Sequence, residues 1–231
     1  MEKISVITGG ANGLGLCIAK RLVADNKKVL IIDKTDSVKL KNFISKNNNM
    51  VMFYNCDVSD DKSLKQIAKQ IAGKYKIEYL INNAGVIKVG DFKDNNLSTI
   101  KPVFDSTVIG TMLVVRNFLP ILKQANEGKV IVVNSSAGLM GKAQESVYCS
   151  AKFAQKGYLL ALKEELKNTN IKVLGCYPGG MNTGFYDNIR HYAPIEKTNT
   201  FMKPEKVADV ICENIYAADS LNITEIIIER V

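Results

Sequence analysis

Short runs of β-branched and other apolar residues alternate with longer stretches of helical periodicity from one end of the chain to the other. The runs Ile4–Thr8, Lys28–Asp33, Met50–Tyr54, Ile77–Asn82, Lys129–Ser135, Ile171–Tyr177 and Thr224–Glu229 predict seven strands. Between them, Leu64, Ile67, Ala68 and Ile71 fall at i, i+3, i+4 and i+7, which predicts a helix over Asp60–Ala72. Ser59 is its expected cap, with Asp60 and Asp61 in the first turn, where the helix dipole favours negative charge. Pro204 opens another helix with Val207, Ile211 and Ile215 on one face. Val29–Ile32 and Val130–Val133 are apolar at every position, as in strands of a parallel sheet covered by helices on both sides. The expectation is a doubly wound α/β fold with a seven-stranded parallel sheet. Nothing in residues 1–231 resembles a linker, a composition break or a repeat, so one domain is expected. The longest stretch without period, Gly180–Lys203, reads as a functional loop, with 184–203 as the segment facing the substrate.

Composition narrows the chemistry. The 231 residues include one histidine, His191, so no metal site with two imidazoles can be built within the chain, and a Ser-His-Asp mechanism would rest on that residue alone. No metal is expected. The five cysteines are odd in number and contain no C-x-x-C, which suits reduced thiols in a cytoplasmic protein. The N-terminus lacks the apolar core of a signal peptide, and Gly110 and Thr111 interrupt the apolar stretch Val108–Val115, so neither secretion nor a membrane span is expected. The net charge of +8 is spread in ones and twos without a basic run, which favours a solvated surface over a nucleic-acid footprint.

The junction after the first strand reads Thr8-Gly9-Gly10-Ala11-Asn12-Gly13-Leu14-Gly15-Leu16. Glycines there permit a sharp turn and a close approach of backbone to a pyrophosphate, and the helix N-terminus that follows offers free N–H groups to the anion. Asp33, at the end of the second strand and 18 residues after Gly15, stands near the spacing at which an acid bonds adenosine ribose hydroxyls. Its charge would repel a 2′-phosphate, so NAD is expected over NADP, with the adjacent Lys34 softening the preference. Tyr148 and Lys152, four residues apart on a helical stretch, project from one face, and Ser135 ends a buried strand at the side where open parallel sheets bind ligands.

Taken together, the glycine turn, Asn82-Asn83-Ala84-Gly85, Ser135 and Tyr148-x-x-x-Lys152 resemble the short-chain dehydrogenase/reductase family over nearly the whole chain. The resemblance implies a Rossmann fold and hydride transfer between a nicotinamide and a carbonyl or secondary alcohol. It implies Tyr148 as acid/base, Lys152 as its electrostatic and ribose-binding partner, and Ser135 as the donor to the substrate oxygen; the thirteen-residue spacing to Tyr148 selects Ser135 over Ser136. Cofactor contacts implied in the same way come from Gly9, Asn12, Gly13, Leu14 and Gly15, from Asp33, and from Asp57 and Val58 beside the adenine. Asn83, Ala84 and Gly85, then Pro178, Gly179 and Thr183, complete that set. One departure stands out: Thr107 occupies the position where the family usually has an asparagine supporting a water chain to the lysine, largely through a main-chain carbonyl. Thr107 is carried as a catalytic candidate on that ground.

An ammonium about 4 Å from a phenol, at an effective dielectric of about 20, favours the phenolate by about 4 kcal/mol, enough to bring a tyrosine that ordinarily titrates near 10 into the working range. Pocket walls are expected from residues 86–96, 140–145 and 184–203; Phe185, Tyr186, Tyr192 and Phe201 in the last suggest an apolar or cyclic substrate, and His191 reads as solvent-exposed. The C-terminal strand is loosely similar to that of hydroxy-amino-acid and sepiapterin-like reductases, and the family implies a homodimer or homotetramer through the helices bearing Thr107 and Tyr148. The competing expectation is a non-catalytic dinucleotide-binding regulator or scaffold of the same fold.

Overall fold

A computed structural model describes residues 1–125, 127–186, 201–217 and 221–230. Seven strands, β1 (Glu2–Thr8), β2 (Val29–Asp33), β3 (Val51–Asn55), β4 (Tyr75–Asn82), β5 (Gly128–Val133), β6 (Ile171–Pro178) and β7 (Glu225–Ile228), form one sheet in the order β3-β2-β1-β4-β5-β6-β7. Every pairing is parallel. The expected strands are all present; the fifth stops at Val133, and Asn134 and Ser135 turn out of the sheet.

The central strands are apolar on both faces because both faces are covered. On one side α1 (Gly13–Ala24), α2 (Val38–Lys46) and α7 (Pro204–Ile215) bury Ile18, Leu22, Leu40 and Ile211 against Ile7, Ile31 and Ile131. On the other, α3 (Asp61–Ile71), α5 (Gly110–Leu122) and α6 (Ser146–Leu166) bury Leu64, Ile67, Phe118 and Leu159 against Val6, Leu30 and Val130. Val207, Ile211 and Ile215 are buried along α7, as their four-residue spacing predicts. At α3 the cap is Asp60, whose carboxylate accepts from the Ser63 N–H at 3.2 Å. Ser59 is displaced from that role because its N–H and hydroxyl both donate to Asp57, at 2.9 and 2.7 Å.

Helix α4 (Leu97–Phe104) runs into α5 through a π turn over Asp105–Ile109, a widening that often marks a functional site. The unbroken run 97–122 is long and apolar enough to span a membrane by length and composition, but half of its most apolar window is buried within the fold. All five cysteines are free thiols, and all but Cys17 are buried.

Candidate active site

Above the carboxyl ends of β1, β4, β5 and β6 the chain leaves a cleft of about 470 Å³. It opens where the strand order reverses, between β1 and β4, the switch point at which open α/β sheets bind ligands. Its floor is the glycine turn. Gly9 and Gly13 have φ of +66° and +52°, a region side chains disfavour. A Cβ on Gly15 would lie 2.2 Å from the Gly9 carbonyl oxygen, so the turn closes only without one. The Asn82–Gly85 segment locks it from the neighbouring strand: Asn83 and Ala84 N–H donate to Thr8 Oγ1 at 3.1 and 3.2 Å, and Asn83 Nδ2 donates to the Thr8 and Gly9 carbonyls. Asn12 precedes α1 in extended backbone without a side-chain capping bond, and no acid lies in the first turn. The first N–H groups of α1 therefore face an anion-sized cradle, which suits the pyrophosphate of a dinucleotide.

Gly9, Asn12, Gly13 and Leu14 line the cleft from the first turn, and Asn83, Ala84 and Gly85 from the end of β4. Pro178, Gly179 and Thr183 line it from the end of β6, and Ser135, Tyr148 and Lys152 from β5 and α6. Five predicted residues do not line it: Gly15, Asp33, Asp57, Val58 and Thr107. Gly15 packs beneath the turn. Asp33 accepts from Ala11 N–H at 2.9 Å and from the N–H and hydroxyl of Thr35 at 2.9 and 2.8 Å, fixed beside the rim. Asp57 holds Ser59 and stands 3.5 Å from Lys34. The Val58 side chain points into the core against Gly110, where a Cβ would come within 2.5 Å of it.

The reacting end is built around a buried amine. Lys152 is 3% exposed and donates to the Val133 carbonyl at 3.0 Å and to Gln155 Oε1 at 3.1 Å. Burial pulls its pKa down to about 7, because the ammonium has lost most of its water. Its nitrogen lies 5.8 Å from the centre of the buried Tyr148 ring. Ser135 Oγ accepts from the Ala137 N–H at 3.1 Å, which leaves its own proton to be donated. Asn134 supports both residues, accepting from Ser135 N–H at 2.8 Å and donating to the Lys152 carbonyl at 3.0 Å. Phe185 packs on Tyr148 with ring centres 6.1 Å apart and forms an apolar wall.

Thr107 is fully buried. Its hydroxyl has no partner among the described residues, and its carbonyl accepts from Gln155 Nε2 at 3.0 Å and from the Thr111 hydroxyl at 2.8 Å. Sequence reasoning missed Gln155, although its place three positions after Lys152 made it a neighbour on the same helix. It also missed Lys39 and Met181, which reach the cleft from α2 and from the loop after β6. Tyr192 and His191 lie outside the described residues, as does most of loop 184–203. Among the described residues no group of acids, histidines and cysteines is arranged to hold a metal ion.

Fold and site together define a dinucleotide-binding α/β protein with serine, tyrosine and lysine gathered at one cleft. A family model described as short chain dehydrogenase matches residues 3–193. An NADP-dependent 3-hydroxy acid dehydrogenase of Schizosaccharomyces pombe is 32% identical over 95% of this chain and 91% of its own length. A 3-ketodihydrosphingosine reductase of Bos taurus is 29% identical over 90% of this chain and 67% of its own length. In structure, an alcohol dehydrogenase from the archaeon Thermococcus sibiricus, solved with 5-hydroxy-NADP, superposes with a TM-score of 0.87 at 20% identity, over 100% of this chain and 97% of that one. The chain belongs to the short-chain dehydrogenase/reductase family, a family of NAD(P)-dependent oxidoreductases, and is an enzyme of that type.

Proposed function

We propose that this enzyme interconverts a 3-oxo and a 3-hydroxy compound in the cytoplasm, with NAD(H) as hydride carrier and Tyr148 exchanging the proton. The observation that carries the reading is the convergence of Ser135, Tyr148 and Lys152, from two separate elements, on one cleft beside the glycine cradle. The nicotinamide, when bound, supplies or accepts the hydride. Ser135 donates its remaining proton to the substrate oxygen and fixes it within reach of Tyr148. Tyr148 gives its proton to that oxygen in reduction and removes it in oxidation, with the Lys152 ammonium lowering the cost of the phenolate. Phe185 closes the apolar side.

The substrate class is supported by the oxygen at carbon 3 that the names of the two relatives share. NAD is supported by Asp33, whose carboxylate is pinned in an acceptor-only role beside the rim, and by Lys34, which faces Asp57 instead of the cleft. Lys39 favours a second reading, NADP, since it is exposed and lines the cleft. Titration with NADH and NADPH at one ionic strength separates them: at least tenfold tighter NADH is expected, and tighter NADPH, weakened by Lys39→Ala, would establish the second reading. A dimer or tetramer through α5 and α6 belongs to the same proposal, supported by exposed Ile109, Met112, Phe153 and Leu160; light scattering checks it.

The central test is Tyr148→Phe on a panel of 3-oxo and 3-hydroxy compounds. A loss of at least about 100-fold in kcat with NADH affinity unchanged is expected, the range of positioned acid–base catalysis. Retention of more than a tenth of the rate would refute the role of Tyr148. Cofactor binding without turnover in the wild type would favour the regulatory reading.

A further inference from the structure

Behind Lys152 stands a side chain that the Ser-Tyr-Lys pattern does not include. Gln155, one turn further along α6 and 1% exposed, accepts from Lys152 Nζ at 3.1 Å. Its Nε2 donates to the Thr107 carbonyl at 3.0 Å and to Thr111 Oγ1 at 2.8 Å. The partners fix the direction of the amide. A carbonyl can only accept, and the Thr111 hydroxyl already gives its proton to that same carbonyl, leaving lone pairs for Gln155. Only the NH₂ end can face this pair, so Oε1 must face the amine.

Two consequences follow. The Thr107 carbonyl has both lone pairs engaged, so the place where the family resemblance puts a relay water is taken by an amide, which cannot pick up and release protons near neutral pH as water does. And two of the three N–H groups of the ammonium are anchored in the wall, on Val133 and Gln155, which leaves the third for the cleft on the Tyr148 side. Among the described residues the groups around the amine include Gly85 from the end of β4, Val133 from β5, Thr107 from the π turn, and Tyr148 and Gln155 from α6 itself. Of these only Tyr148 titrates.

We propose that Gln155 is a positioning residue for Lys152: it aims the amine at Tyr148, favours its ammonium form and closes the route past Thr107, so that protons enter and leave by the cleft. In reduction the Tyr148 O–H bond breaks as the substrate O–H bond forms, and the phenolate then takes a proton from water at the cleft mouth; no bond within Gln155 changes. This rests on the reading of Tyr148 as acid/base.

The test is Gln155→Met, equal in length and without hydrogen bonds. With one acceptor gone the ammonium is less favoured, the phenolate loses support, and Tyr148 ionises at higher pH. The acidic limb of the kcat profile for alcohol oxidation should move up by about one unit, with kcat at neutral pH down tenfold or more and KM within about twofold, the scale of one hydrogen bond to a charged group. Thr111→Val, which leaves Gln155 bonded to Thr107, should shift the limb in the same sense by less. It also serves as the test if Gln155→Met does not fold. A folded variant whose profile coincides with wild type overturns the proposal. Near-ultraviolet phenolate absorbance, read against Tyr148→Phe, follows the same ionisation without turnover. If the wild type turns over nothing on the panel but Gln155→Met still moves that step, the proposed function fails and this inference stands. Normal turnover with an unmoved step has the opposite meaning.

Discussion

The two ends of the sheet share seven strands and treat their polar groups in opposite ways. At the amino ends lies a depression of about 1010 Å³, more than twice the cleft at the carboxyl ends. There Lys27 meets Glu78 at 3.2 Å and stands over the rings of Tyr79 and Tyr216, while Arg21 bridges Asp25 and Asp209 at 2.9 Å each. The Tyr216 hydroxyl donates to Asp25 at 2.8 Å; burial first, then that bond, pushes its pKa far above the ordinary tyrosine range. Protein groups answer one another. At the carboxyl ends, Ser135, Tyr148 and Lys152 line the cleft beside the glycine turn, and no acid lies in the first turn of α1. One tyrosine gives its hydroxyl proton to a carboxylate; the other stands beside the Lys152 amine at the cleft. The larger hollow is the one whose charged groups are paired with one another, and the smaller is the one lined by the glycine turn, Ser135, Tyr148 and Lys152.

The contrast breaks most sharply at the glycine cradle. Gly15→Ala places a methyl against the Gly9 carbonyl, and cofactor affinity measured by calorimetry should fall about 5- to 150-fold, the effect of about 1–3 kcal/mol of overpacking. Next comes Lys152. Burial moves it from 10.5 to about 7, so between those values the unfolded chain holds a proton that the folded chain lacks. Wild-type stability gained from this group therefore grows as pH rises through that window and is absent below it. Lys152→Met has no such dependence. Wild-type minus variant unfolding free energy should rise by about 1–2 kcal/mol between about pH 7 and 9, at up to about 1.4 kcal/mol per unit. Urea unfolding at those two pH values checks it, and a flat difference would discard burial as the cause. The smallest effect belongs at the opposite end: Tyr216→Phe should cost about 1 kcal/mol in urea unfolding and leave kcat unchanged, where Tyr148→Phe removes it. A catalytic defect in Tyr216→Phe would dissolve the distinction between the two ends.

Local physics made much of this protein legible in the sequence. β-Branched runs buried on both faces can only be central parallel strands, the spacing along α3 and α7 can only bury one stripe, and a turn that needs positive φ and no Cβ needs glycine at Gly9, Gly13 and Gly15. Ser135, Tyr148 and Lys152 stand out by their match to the motif of the family the chain resembles, since a tyrosine and a lysine four apart on a helix are commonplace by themselves. What the tertiary structure alone decided depends on contacts between distant segments. The amide of Gln155 meets the Thr107 carbonyl 48 positions away, and Lys39 reaches the cleft from α2, far along the chain from Ser135 and Tyr148. Val58 turns inward because Gly110 leaves room for it. Even the cap of α3 was settled by competition, since Asp57 takes the hydroxyl of Ser59 and leaves the helix end to Asp60. Periodicity and turn chemistry act over a few residues and can be read in order; the pairing of buried polar groups is chosen by whichever partners the folded chain brings within 3 Å.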